Sequence, residues 1–244
     1  MPAGRPRVPR SAPASGRRRQ PVLRRILVPP ALRRGRAPRR QADGLPPAPR
    51  QFEGSKTFDS FDFNFNPKIP KHKLIDLAIC NFVSRHENVL LLGKTGVGKS
   101  HVAQALGHRA CIAGHNVLYT SAHDMLTQLR ASRADDSLDR RMLRFVSPDL
   151  LIIDDLGLRP LRHDEPIDLY EIIRQRYEHG STIITSNRAI EEWPPLFGDP
   201  LMASAAMDRL LHHCQVLELD GNSFRNPPRR PRVPTPAPPA DDTA

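Results

Sequence analysis

Eight consecutive residues, Gly93-Lys94-Thr95-Gly96-Val97-Gly98-Lys99-Ser100, bring three glycines together with a lysine and a hydroxyl. Glycines let a backbone wrap so that successive N–H groups point into one concavity, which suits an anion. The spacing G-x-x-x-x-G-K-[ST] is that of a phosphate-binding loop opening a helix. Lys99 would set a compact charge against the β- and γ-phosphates of a nucleoside triphosphate. The Ser100 hydroxyl is an oxygen ligand of the kind Mg²⁺ prefers. His101 carries the loop into the helix, whose N-terminal dipole end adds positive potential.

A phosphate loop alone hydrolyses nothing; it needs an acid at the tip of a neighbouring buried strand. Leu150-Leu151-Ile152-Ile153-Asp154-Asp155 supplies four apolar residues and then two carboxylates. Adjacent side chains on a strand point to opposite faces, but where the strand ends and the chain turns both can reach one cleft. Asp154 is expected to hold Mg²⁺, partly through water, and Asp155 to orient or deprotonate the attacking water. Asn187, closing Ser181-Thr182-Ile183-Ile184-Thr185-Ser186-Asn187, either hydrogen-bonds the γ-phosphate or that water, or caps the next turn. Arg209 (in MDRLLHH) and Arg225 (in GNSFR) have the chemistry to stabilise a transferring phosphoryl group, also from a neighbouring subunit. Taken alone, each reads first as a solvated surface arginine, as most arginines are.

These groups need strands that end together. Asn88 to Leu92 (NVLLL), Val117 to Tyr119, Leu150 to Ile153, Thr182 to Thr185 and Val216 to Leu219 read as strands. Helical spacing falls between them, over Ser100 to Ala113, Ala122 to Arg130, Asp164 to His179 and Leu201 to His213. Gly114 and Gly180 stand where helices stop. Strands alternating with helices predict an α/β fold, a P-loop sandwich of three layers around a parallel sheet.

The chain has 244 residues and a formal charge of +11, but the excess sits at its start. Residues 1–50 hold fourteen Arg, one acid and eleven of the 26 prolines, whereas 51–225 hold 20 basic and 23 acidic groups. The middle is the size of one domain with a sizeable core. The Arg/Pro-rich segment 1–50 and the Pro-rich tail 226–244 bury too little to offset ordering and are expected to be disordered. Each reads as a phosphate-neutralising arm, a solvated tail, or non-native, frame-altered coding sequence from a GC-rich gene. Composition excludes collagen, a coiled coil and a disulfide scaffold. The three widely spaced cysteines, Cys80, Cys111 and Cys214, show no zinc spacing, and no apolar run is long enough for a membrane helix. A cytoplasmic protein with no membrane partner is expected.

The blocks LLGKTGVGKSHVAQALG, DLLIIDDLG, RYEHGSTIITSN, WPPLFGD, DRLLHH and GNSFR, in this order over Phe52 to Arg225, resemble the IstB-like ATP-binding proteins. These are AAA+ helper ATPases of insertion-sequence transposition, and the chain is also similar to their relatives, the DnaC-type helicase loaders. The resemblance implies an AAA+ fold over 51–225, with ATP bound between subunits of a homo-oligomer. It also implies DNA gripped by its backbone with little sequence specificity and a transposase as partner. It makes Asn187 a sensor 1 residue, Arg209 an arginine finger and Arg225 a sensor-2-type residue. Two alternatives are a loader serving a replicative helicase and an ATP-switched DNA-binding module with negligible turnover. Family members usually begin with a small helical domain, which 1–50 does not resemble, so a truncated or frame-altered copy is one expectation. No DNA-contacting residue stands out; the basic run Pro67 to Lys73 suits the nucleotide base, solvent or DNA.

Overall fold

A computed structural model describes residues 56–226. The Arg/Pro-rich segment 1–50 and, apart from Asn226, the tail 226–244 lie outside the described residues. Two short helices, α1 (Lys71–Ala78) and α2 (Asn81–Ser84), lead into strand β1 (Asn88–Leu92). The chain then runs through α3 (Lys99–Ile112), β2 (Val117–Ser121), α4 (Ala122–Ala131), α5 (Leu138–Val146), β3 (Leu150–Leu156) and α6 (Glu165–Arg176). It closes with β4 (Ser181–Ser186), α7 (Pro194–Phe197), α8 (Pro200–Leu211) and β5 (Cys214–Glu218).

The five strands form one parallel sheet in the order β2-β3-β4-β1-β5. Alternation of side chains along each strand divides the core in two. Val89, Leu91, Leu150, Ile152 and Ile183 pack with Val102 and Leu106 of α3 on one face. Leu90, Leu92, Leu151, Ile153 and Ile184 pack with Met125, Leu169, Ile172 and Leu210 of α4, α6 and α8 on the other. Strands apolar on both sides are what a parallel sheet covered by helices requires.

The expected strands and helices are present, with ends moved by a few residues. Helix α6 stops at Arg176 rather than His179, because the chain turns at Glu178 with a left-handed φ of 59°. Helices α1, α2, α5 and α7 were not anticipated. Helix α5 carries Leu138, Met142, Phe145 and Val146 at helical spacing, Met142 and Phe145 buried and the other two packed against the core, a readable stripe that sequence reasoning missed.

Strand order has a direct consequence for chemistry. Strand β4 lies between β1 and β3. The residue after β4 therefore stands between the loop after β1 and the carboxylates of β3. Parallel strands end on one edge, where ligands of open α/β sheets bind.

Candidate active site

The loop between β1 and α3 owes its shape to backbone that only glycine adopts readily. Gly96 has φ 86° and Gly98 φ 105°. A Cβ on Gly96 would stand 2.1 Å from Ser223 Oγ, and one on Gly98 2.8 Å from the Phe61 ring. Val97 is fully buried and pins the loop to the core. Thr95, Gly96, Gly98, Lys99, Ser100 and His101 face a cavity of about 580 Å³. Gly93, Lys94 and Val97 do not line it with side chains; they shape the loop. His101 Nε2 donates instead to the Thr57 carbonyl, 2.9 Å away, tying the segment before α1 to the first turn of α3.

Lys99 is buried, and its ammonium donates to the carbonyls of Gly93 and Lys94, each at 2.8 Å, and to Asn187 Oδ1 at 2.5 Å. Burial pushes it below its ordinary pKa, with Asp155 and Asp154 opposing and Arg225 adding to the drop. Asn187 is thus brought to the phosphate loop, as β4's position demands.

Both aspartates reach the cleft, but not by the expected turn at the strand's end. Strand β3 continues through them to Leu156, and a bulge does the work. Ile153 pairs with Ile184 and Leu156 with Ser186, leaving Asp154 and Asp155 opposite Thr185 alone. Two residues against one let consecutive side chains share a side. The left-handed φ of 58° at Asp155 is the backbone signature, and its N–H donates to Thr185 Oγ1 at 2.9 Å.

Asp154 is buried and accepts three hydroxyls. Ser100 Oγ donates to Oδ1 at 3.0 Å, Thr185 Oγ1 donates to the same oxygen, and Tyr119 Oη donates to Oδ2 at 2.5 Å. Asp155 is exposed at the cleft mouth. Loss of surrounding water, then the Asp154 charge, raises its carboxyl above the usual range, against the pull of Lys99 and Arg225. It is a stronger base than an ordinary carboxylate.

Arg225 lines the same cavity, and the strand-to-tail segment bearing it is fastened to the loop: Phe224 N–H donates to the Gly96 carbonyl at 2.8 Å. Arg209 is elsewhere. On α8 it donates to the Ala205 carbonyl and lies over the Tyr170 ring, and it is not among the residues lining its own chain's cleft.

Sequence reasoning missed the aromatic wall. Phe61, Phe65 and Phe224 line the cavity, Phe65 and Phe224 stacked with centroids 4.0 Å apart. The readable signal was Phe58, Phe61, Phe63 and Phe65 in an otherwise polar run. The basic run at 67–73 does not line this cavity; Lys68 pairs with Asp220 at 3.1 Å and Lys71 lies over Phe63.

The parallel sheet, the phosphate loop and the bulged aspartate pair define a P-loop nucleotide-binding protein of the AAA+ class. Solved structures of similar fold include the replication initiator DnaA bound to AMPPCP and single-stranded DNA (TM-score 0.57, 22% identity, 69% of this chain and 50% of that one). The DnaC helicase loader gives a TM-score of 0.52 at 24% identity, over 65% of this chain and 98% of that one. The family model for IstB-like ATP binding proteins matches residues 31–231, beginning inside the Arg/Pro-rich segment, and the chain belongs to this family. An ATP-binding protein named for insertion sequence IS5376 of Geobacillus stearothermophilus is 38% identical over 170 residues, 70% of this chain and 68% of the relative. One named for IS21 of Pseudomonas aeruginosa is 39% identical over 170 residues, 70% of this chain and 64% of the relative. A Mycobacterium tuberculosis insertion-sequence relative is 39% identical over 204 residues, 82% of this chain and 81% of its own.

Proposed function

We propose that this chain is an ATPase which assembles through its nucleotide interface on DNA and assists a transposase. The observation that carries the enzymatic part is the meeting of Lys99, Ser100, Asp154, Asp155 and Asn187 at one cleft, drawn from the start of α3, from β3 and from the residue after β4. Lys99 would exchange its loop carbonyls for phosphate oxygens, and the loop N–H groups with the α3 dipole would hold the remaining charge. Ser100 and Asp154 form an all-oxygen donor set beside the loop, which fits Mg²⁺. That ion, when bound, supplies charge neutralisation at the phosphates. Asp155 would take the proton of the attacking water, and Asn187, bonded to Lys99 in this structure, would orient the γ-phosphate or that water.

Arg209 acts from a neighbouring subunit in this reading, which its place outside the residues lining its own cleft supports, and Arg225 contributes charge within the chain. The insertion-sequence names of the relatives support the transposition role. No described helix is long and apolar enough to cross a membrane, and we place the protein's work in the cytoplasm, where ATP and DNA are at hand. The test is phosphate release by the full chain with and without duplex DNA. Turnover should rise with DNA and with protein concentration; release that never exceeds background removes the enzyme reading.

Phe224 and Phe65 line the cavity beside the loop, and in this reading they form the wall against which the nucleotide base stacks. Phe224→Ala is expected to weaken ATP binding about five- to tenfold, the size of one aromatic stacking contact. Titration with a fluorescent ATP analogue checks it.

A further inference from the structure

Far from the nucleotide cleft, at the opposite edge of the sheet, the turn after α6 meets the end of α8. Glu178, His212 and His213 stand there with one ligand atom each, all within 4.8 Å of one another. They form the one such group of three among the described residues. The two imidazoles are in contact, centroids 4.0 Å apart. Glu178 reaches the cluster through a left-handed backbone that a non-glycine residue adopts at a cost.

Three further features suit a cation. Tyr177 Oη lies 2.8 Å from His212 Nδ1. With the proton on Nδ1 and donated to Tyr177, the ring offers the lone pair of Nε2, the orienting contact that metal-bound histidines use. The cluster also caps the C-terminal end of α8, a twelve-residue helix whose terminal carbonyls present negative potential. Finally, the three residues are exposed, so their side chains can rotate without disturbing the core. Contraction to the ~3.3 Å ligand spacing of a tetrahedral ion with ~2.0–2.1 Å bonds needs only such rotation.

We propose that Glu178, His212 and His213 form a binding site for a borderline divalent transition ion, Zn²⁺ being the best fit, which clasps the turn after α6 to the end of α8. Two nitrogens and one carboxylate oxygen select such ions over Mg²⁺ or Ca²⁺, and a water completes the fourth position. The clasp steadies α8, the helix that carries Arg209. The site is independent of the nucleotide reading and stands or falls without it.

The test uses the untagged full chain, stripped with a chelator and titrated with Zn²⁺ against a competing chromophoric chelator. One ion per chain should bind, raising the melting temperature. His212→Ala/His213→Ala should bind at least tenfold more weakly and lose the thermal shift. Tyr177→Phe, which keeps every ligand, should lose about tenfold. Co²⁺ loading should give a spectrum without thiolate charge-transfer absorption, which separates this site from cysteine binding. Glu178→Gln serves should the double variant fail to fold, with the same expected loss. Stoichiometric binding of equal strength in parent and variants, thiolate absorption, or no saturable binding in the micromolar range overturns the proposal.

Discussion

Asp155→Asn is expected to slow phosphate release at least about 100-fold, the usual span for losing a positioned base, while ATP stays bound within a few-fold of the parent. The side chain is exposed at the cleft mouth and accepts no hydrogen bond from the loop, so its amide replacement keeps shape and leaves the fold untouched. The one function lost is proton acceptance, since an amide cannot take the proton of water. Removing a negative group beside the phosphates relieves repulsion, so binding should hold or tighten slightly. Lys99→Ala gives the opposite pattern. Its ammonium is the cation the loop presents, and charge-assisted bonds to phosphate are worth about 1.5–3 kcal/mol each. A loss of at least about 100-fold in ATP affinity follows, close to 3 kcal/mol. The two readouts, single-turnover phosphate release and equilibrium ATP binding, must separate. If Asp155→Asn releases phosphate at the parent rate, the base is another group; if Lys99→Ala holds MgATP as the parent does, the cleft is not the nucleotide site.

The parts of this cleft that sequence made legible are those with local signatures. Gly93 to Ser100 declares itself because loop conformation, charge and hydroxyl lie within eight residues. Leu150 to Ile153 announces a buried strand because both faces are apolar, and Ser181 to Asn187 because the β-branched run Thr182 to Thr185 is bounded by polar residues. What sequence could not reveal depends on partners distant along the chain. The bulge that sets Asp155 beside Asp154 exists only relative to Thr185, some thirty residues on, and no local residue type marks it. Tyr119 and Thr185 look like ordinary strand residues until the order β2-β3-β4 sets both against Asp154. The aromatic wall is built from a segment before β1 and one after β5, held together by Asn66, whose Oδ1 accepts from Asn222 N–H at 2.7 Å and whose Nδ2 donates to the Asn222 carbonyl at 3.0 Å. Periodicity says nothing of such pieces because they have none. Helix α8 was legible as an element, but which way it turns Arg209 depends on its packing against α6 and α7, not on local sequence.

The same non-local logic makes Arg176 the residue whose loss should cost most in stability. It sits at the end of α6, 2% exposed, with no carboxylate among the described residues bonded to it. Its guanidinium donates to the carbonyls of Phe145, Val146 and Pro148, to those of Asp149 and Ser181, and to Thr182 Oγ1. Burial lowers it to about 10, so it keeps its charge at neutral pH. One side chain thus satisfies the backbone where α5 turns into β3 and where β4 begins. Methionine would fill much of the volume and supply no donor, stranding several carbonyls that cost about 1–3 kcal/mol each when orphaned. Local relaxation and water recover part of this, and Arg176→Met is expected to destabilise by about 3–5 kcal/mol. For a domain of this size that lowers the melting temperature by about 10 °C or more. Gly180→Ala should act through the same contact, because its Cβ would stand 2.8 Å from Arg176 Nη2. The plug lies at the starts of β3 and β4, whereas the cleft lies at their ends. At a temperature where the variant remains folded, ATP affinity should therefore match the parent, and thermal melting with and without ATP distinguishes this from damage to the site. A melting temperature within 2–3 °C of the parent would mean that water, rather than Arg176, can satisfy these carbonyls.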